Sequence, residues 1–172
     1  DTLTSGEFDQ RGAVFSPDGK QIAFVSNTTA DPDRNINNDI FVMEAKPKAT
    51  PKQLTKWSGT DDSPVWSPDS KTIAYLSSAS ETYTAYQEQY LTVIDASGVG
   101  TPKYLSKTLD RPVSNIKFTK EGTQIAVLIS DDRERYIGQF NMATGALTKV
   151  AGGKRSYGAI QAHSNNNWVA AM

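Results

Sequence analysis

The stretch Phe15-Ser16-Pro17-Asp18-Gly19-Lys20-Gln21-Ile22-Ala23-Phe24 returns as Trp66-Ser67-Pro68-Asp69-Ser70-Lys71-Thr72-Ile73-Ala74-Tyr75, and again, more freely, as Phe118-Thr119-Lys120-Glu121-Gly122-Thr123-Gln124-Ile125-Ala126-Val127. A fainter fourth copy runs from Ala162 to Ala171, with Asn165-Asn166-Asn167 at its turn. Taking Phe15, Trp66, Phe118 and Ala162 as equivalent gives spacings of 51, 52 and 44 residues. A second landmark keeps the register: Leu3, Leu54 and Val150 each stand 12 residues before their copy, and Leu105 stands 13 before its own. A period near fifty marks a repeat architecture whose unit is several short strands rather than a helix pair.

The residues inside one period say what those strands are. Ser-Pro-Asp-Gly suits a tight hairpin: Pro presets φ, Asp bonds to local backbone, and Gly accepts the left-handed conformation that follows. In the second copy Ser70 takes the place of that Gly at a conformational cost. Short runs rich in aromatic and β-branched residues flank each turn. In the first unit they are Ala13 to Ser16, Gln21 to Ser26, Asp39 to Ala45 and Gln53 to Thr55. The second unit has Pro64 to Ser67, Thr72 to Ser77, Tyr90 to Ala96 and Lys103 to Leu105; the third has Ser114 to Thr119, Gln124 to Ser130, Tyr136 to Met142 and Leu147 to Val150. No helical period is sustained anywhere. The fold class expected is therefore all-β: a β-propeller of four-stranded antiparallel blades, about three complete and others partial. The boundaries expected are an outer strand of a preceding blade at 1-6, blades at 11-56, 62-108 and 112-151, and the inner strands of a further blade at 157-172. Propellers close with four to eight blades, so the chain reads as a fragment of a larger ring whose raw edges invite self-association, in preference to a small closed ring in which 1-6 and 157-172 share a fourth blade. A chain opening Asp1-Thr2-Leu3 also reads as processed or excised.

Composition removes several classes of function. The 172 residues are 37% hydrophobic and 22% charged, with 18 Lys+Arg against 19 Asp+Glu and a net charge of −1. That balance lacks the basic footprint of a nucleic-acid binder. The longest aliphatic run, Ile125 to Ile129, is far below the roughly 20 residues of a membrane helix. Cys is absent, so cysteine usage gives no information on compartment.

The repeated Phe/Trp-Ser-Pro-Asp-Gly/Ser-Lys-x-Ile-Ala-Phe/Tyr, followed by Asp39-Ile40-Phe41-Val42-Met43 and Gln53-Leu54-Thr55, resembles the propeller of the prolyl oligopeptidase family of serine peptidases, in its dipeptidyl aminopeptidase and acylaminoacyl-peptidase branch. It is also similar to the periplasmic propeller protein of the bacterial Tol system. Long, unequal loops and the stretch Thr144 to Met172 tilt the resemblance toward the peptidase. The resemblance implies a parent that hydrolyses peptides with a Ser-His-Asp triad in a separate α/β-hydrolase domain, for which this propeller gates and positions peptides. A periplasmic or secreted setting goes with it in preference to the cytoplasm. The alternative it implies is a protein-interaction propeller of the Tol kind. A metal-dependent propeller lyase is disfavoured by the single histidine and the lack of clustered acids.

The chain's own chemistry fits a non-catalytic part. No Gly-x-Ser-x-Gly elbow occurs, and Gly153-Lys154-Arg155-Ser156-Tyr157-Gly158 has the wrong spacing. His163, the only histidine, precedes a turn with no nucleophile assigned beside it. No catalytic residue, cofactor or metal ligand is therefore assigned. Asp31-Pro32-Asp33-Arg34-Asn35-Ile36-Asn37-Asn38-Asp39 alternates oxygen ligands like a calcium loop, but Ile36 stands where the turn wants Gly and Val42 where a bidentate Glu belongs, so a solvated loop is the better reading. Asn27-Thr28-Thr29 matches a glycosylation acceptor by three residues only, and Asp131 to Arg135 reads as a solvated, salt-bridged hairpin. Glu81, Tyr83, Tyr86 and Glu88 crowd one loop of the second unit, where aromatics and carboxylates can meet a peptide's side chains and amino terminus. They are the candidate substrate contacts, against the plainer reading that Tyr86 and Tyr90 pack on neighbouring blades. Trp66 and Trp168 are expected in the core.

Overall fold

The computed structural model describes residues 8–81, 88–153, 156–162 and 168–171. Three four-stranded sheets follow one another along the chain, each a meander in which neighbours in sequence are neighbours in space. The first holds β1 (Gln10–Phe15), β2 (Gln21–Ser26), β3 (Asp39–Glu44) and β4 (Lys52–Gln53). The second holds β5 (Asp61–Trp66), β6 (Thr72–Ser78), β7 (Gln89–Asp95) and β8 (Lys103–Tyr104). The third holds β9 (Val113–Phe118), β10 (Gln124–Asp131), β11 (Glu134–Asn141) and β12 (Leu147–Ala151), and a pair, β13 (Ala159–Ala162) with β14 (Trp168–Ala171), follows. All pairings within the sheets are antiparallel. The chain is an all-β propeller fragment.

Strand alternation explains how the blades stack, because successive side chains point to opposite faces. On β6, Ile73 and Tyr75 pack with Ala23, Val25, Ile40 and Trp66 of the first seam, while Ala74 and Leu76 join Ile125, Val127 and Ile129 in the second. On β10 the other face, Ala126 and Leu128, packs with Ile137 and Ile160. Both faces of β6 and β10 are apolar because each is covered by neighbouring strands of the next or preceding unit. Lys52 of β4 reaches the Ser97 carbonyl of the next blade, and Lys103 of β8 likewise reaches the carbonyls of Met142 and Ala143 at 2.7 and 2.6 Å.

The hairpin turns obey their sequence. Ser16 Oγ donates to Asp18 Oδ1 at 2.6 Å and accepts from Gln21 N at 2.9 Å; Ser67 does the same with Asp69 and Thr72 at 2.6 and 2.9 Å. The Ser16 and Ser67 hydroxyls hold the Asp18 and Asp69 carboxyls below the usual carboxylate range. Gly19, Ser70 and Gly122 occupy one left-handed position, at φ 71°, 60° and 69°.

The first strand of each blade begins earlier than the alternation of apolar residues predicts, at Gln10, Asp61 and Val113 rather than near Ala13, Pro64 and Ser114. Each carries a bulge whose central residue is left-handed: Gly12, Ser63 and Asn115, at φ 62°, 57° and 57°. An extra residue in one strand breaks the two-residue period, which hides the strand's beginning from a pattern reading. These strands sit against one another across the seams, β1 on β5, β5 on β9 and β9 on β13, and so form the inner wall of the ring.

Candidate functional site

One end of the inner strands collects the loops. Gln10, Asp61 and Val113 start there, and so do the connections from β2 to β3, β6 to β7 and β10 to β11. Arg11, Arg34, Arg111 and Arg133 lie on this rim, whereas the hairpin turns of the opposite rim carry Lys20, Lys46, Lys71 and Lys120. The connection in the first blade is the longest described loop on the rim, twelve residues against two between β10 and β11.

That loop walls a cavity of about 360 Å³ with Phe8 and Arg11 on one side and Asn27, Asp33, Asn35 and Asn38 on the other. Asn35 organises it: Nδ2 donates to Thr29 Oγ1 at 2.8 Å and to the Asp31 carbonyl, and Oδ1 accepts from Asn27 Nδ2 at 2.8 Å and from Asn37 N at 3.0 Å. The alternating Asp and Asn residues thus bond one another and the backbone, as turn-forming side chains do. Asn27 is bound twice over, since Oδ1 also accepts from Thr29 N and Oγ1 at 3.1 and 2.7 Å. Arg11 closes the mouth, Nη1 on Asn38 Oδ1 at 3.1 Å and Nη2 on Asp62 Oδ2 at 3.0 Å, a contact from the first blade to the second.

The second blade's loop holds the residues singled out from sequence. Glu81 is exposed on the rim and Glu88 half-buried; Tyr83 and Tyr86 lie outside the described residues. The Ala79 amide donates to the Glu88 carbonyl at 2.9 Å, which closes the base of the loop. A hydrogen bond with Asp110 raises the Glu88 carboxyl above its ordinary value, and the Arg111 guanidinium opposes that shift. Arg111 Nε in turn binds Asp131 Oδ1 at 2.6 Å. Glu88 therefore joins a line of charges crossing from the second blade to the third, which its sequence neighbourhood did not reveal. The run Asp131 to Arg135 is a tight hairpin, with Glu134 paired to Lys149 and Asp132 left-handed at φ 42°. Trp66 is buried, as expected, with Nε1 donating to the Val14 carbonyl at 3.1 Å.

Sequence reasoning missed a third group. Asp39 and Asp61 lie buried where the first two blades meet. Asp39 accepts from Gln53 Nε2 at 2.8 Å and Thr55 Oγ1 at 3.1 Å. Burial pushes the Asp61 carboxyl up to about 6, helped by the negative charge of Asp39. The signal was available as a departure from the repeat: Val113 stands where Asp61 does, and Tyr90 and Tyr136 stand where Asp39 does. Among the described residues no group of three or more acids and histidines is placed to hold a metal ion, and no helix is long and apolar enough to cross a membrane.

No family model matches the chain. Among curated proteins it is similar to dipeptidyl-peptidase 5 of Arthroderma otae, 31% identical over 136 residues that make up 72% of this chain and 18% of that protein. Dipeptidyl-peptidase 5 of Porphyromonas gingivalis is 26% identical over 145 residues, 83% of this chain and 21% of the relative. The chain thus spans about a fifth of the length of these relatives. Among solved structures, a Mycobacterium tuberculosis puromycin-hydrolyzing peptidase superposes with a TM-score of 0.72 at 14% identity, over 95% of this chain and 28% of that one. A putative TolB from Agrobacterium tumefaciens gives 0.69 at 15% identity, over 94% and 52%. At such identities the structural likeness is one of fold.

Proposed function

We propose that this propeller fragment, similar to part of dipeptidyl-peptidase 5, is a piece of a serine peptidase of the prolyl oligopeptidase family, and that its loop rim gates and positions peptides for an α/β-hydrolase domain elsewhere in that parent. The observation that supports this most is the gathering of three blades' loops and the inner strands' starts at one end, where the first blade's loop walls a cavity with Arg11, Asn27, Asp33 and Asn35. Loops on a rigid scaffold are where such folds carry binding. In this reading the propeller contributes position and access rather than bond cleavage. Glu81, Tyr83, Tyr86 and Glu88 on the neighbouring loop extend the contact surface for peptide side chains and the amino terminus. A periplasmic or secreted setting belongs to the same reading.

The test uses the whole parent protein. Asp33→Ala and Glu81→Ala are each expected to raise KM for a peptide substrate several-fold while labelling of the reactive serine by a fluorophosphonate stays unchanged. Unchanged KM in both would remove the positioning role. A parent that takes no label at all would favour the partner-binding propeller, for which the TolB likeness is the support.

A further inference from the structure

Three buried side-chain atoms among the described residues have no hydrogen-bond partner: Asp61 Oδ1, Ser77 Oγ and Asn37 Oδ1. All three lie at one place, the top of the first seam. Asp61 and Ser77 are register partners on β5 and β6, and Asn37 stands one residue before Asn38, whose carbonyl accepts from the Asp61 amide at 2.8 Å. Buried polar atoms are almost always satisfied, so three orphans together require a physical account. A proton supplies part of one. An ionised carboxylate only accepts, whereas a protonated one also donates; the Ser77 and Thr55 hydroxyls beside Asp61 favour its ionised form, but burial outweighs them.

We propose that Asp61, buried beside Asp39, is a proton-operated latch between the first two blades, and that its charge state sets how firmly the loop 27–38 walling the rim cavity is held. The loop is fastened to the second blade almost wholly at this point. Asn38 pairs with Thr60, the Asp61 amide binds the Asn38 carbonyl, and Thr60 Oγ1 binds the Ile36 carbonyl at 2.6 Å. Thr60 is fixed from the other side, its amide donating to Ser78 Oγ at 2.8 Å and its carbonyl accepting from Ser78 N at 2.8 Å. A charge placed at Asp61 therefore acts on the residues that carry the loop.

The groups around Asp61 give it no counter-ion. Asp39 on β3 is a second carboxyl, already bound by Gln53 and Thr55. Tyr75 on β6 has its hydroxyl pushed up by burial and by the carboxylates, and Tyr104 of β8 adds no positive charge. Lys56, beyond β4, acts on Asp39. Asp62, next along the strand, has engaged Arg11 for itself. With Asp61 1% exposed, water does not screen the charge. Since folding raises its pKa, the neutral form is the one the seam prefers. The latch is closed in acid and loosens as pH rises through about 6. The latch rests on the seam's geometry and is independent of any peptidase activity.

Hydrogen exchange of the full chain, followed by mass spectrometry on peptides covering 34–41 and 56–66, tests this at pH 5 and pH 7.5 with intrinsic rates divided out. Protection in these peptides is expected to fall about tenfold or more on going to the higher pH, while peptides of the third blade keep theirs. Asp61→Asn and Asp61→Val are both expected to abolish the pH difference; the second copies the residue found at the equivalent site of the next seam and keeps the test open should the first fold poorly. Protection that does not change with pH in the native chain, or that changes equally in either variant, would overturn the latch.

Discussion

The first and second seams are built at equivalent positions of one repeat, and they solve the same packing problem with opposite chemistry. At the inner-strand start the first seam has Asp61 and the second has Val113. At the head of the third strand, Asp39 bonds Gln53 in the first blade, whereas in the second Tyr90 meets Tyr104 edge-on, ring centroids 6.1 Å apart and planes at 90°. The third blade uses Tyr136 with Lys149 Nζ 4.4 Å from its ring centroid. The second seam thus rests on a continuous apolar cluster from Ala74 to Phe140. The first adds buried charge, with the rim loop tied to the same place. The lesson is that a repeat fixes geometry without fixing chemistry, and that a polar departure in one seam marks where adjustability was placed.

The largest expected effect concerns what the seams share. Trp66 and Phe118 are 6% and 7% exposed because a blade covers them, while Phe15, at the same repeat position, is 63% exposed. Trp66→Ala should cost about 3–5 kcal/mol through the cavity it leaves, with the bond to the Val14 carbonyl lost as well. Phe15→Ala in the 172-residue chain should change stability by less than about 0.5 kcal/mol. Chemical denaturation compares them directly. Equal effects would mean that Phe15 is covered in solution and that the two positions are not distinct.

Next comes the charge itself. The Asp61 carboxyl has its pKa raised in the fold to about 6, so the stability it allows is complete below the unfolded-chain value near 4 and is lost as pH rises through 6. The gap between the folded and unfolded values, about 2, corresponds to about 3 kcal/mol at neutral pH. Asp61→Val should therefore stabilise the chain by up to about 3 kcal/mol at pH 7.5 and by far less at pH 4, read from urea midpoints at both. The reverse exchange, Val113→Asp, should import the same pH dependence into the second seam. If it does not, the first seam owes its behaviour to Asp39 rather than to the site.

How much of this was legible in the sequence divides along the same line. The blades could be read because hairpin chemistry at Ser16 to Gly19 and apolar pairs such as Ile22 with Phe24 repeat at fixed distance. The inner strands could be read only in part. Pro64 and the left-handed Gly12, Ser63 and Asn115 interrupt alternation at the point where a strand should declare itself, and a bulge has no period of its own. The loop-bearing end could be read from the lengths of its connections, yet Glu88 looked free in sequence and is bonded to Asp110, 22 residues further on. Asp39 and Asp61 were missed because each follows turn residues, where aspartate is ordinary; only their meeting across two sheets makes them unusual.

A smaller contrast lies in the turns at the opposite rim. Gly122, left-handed at φ 69°, presses on the second blade: a Cβ there would sit 3.3 Å from Cδ of Pro68. Gly122→Ala should cost about 1–2 kcal/mol, combining the left-handed penalty with that contact. Gly19, with nothing within 4 Å of such a Cβ, should suffer the conformational part alone. Thermal unfolding of the two variants measures the difference, and equal losses would show that the second seam has slack at this point.

The smallest effect is expected at Ser70, the equivalent residue of the first seam, where two contributions oppose each other. Its φ of 60° is costly for a side chain, and Gly would relieve about 1 kcal/mol. Its Oγ, however, accepts from the Asp18 amide of the preceding blade at 3.2 Å, an exposed bond of about 0.5–1 kcal/mol. Ser70→Gly should thus fall within about 0.5 kcal/mol of the native chain, while Ser70→Ala, which keeps the strain and loses the bond, should be destabilised by about that bond's contribution. A clear gain in Ser70→Gly would mean the cross-blade bond contributes nothing. In that case the polar contacts of the turn end would reduce to the lysine bonds of the outer strands, Lys52 on the Ser97 carbonyl and Lys103 on those of Met142 and Ala143, and buried charge in the first seam would stay confined to its loop rim with Asp39 and Asp61.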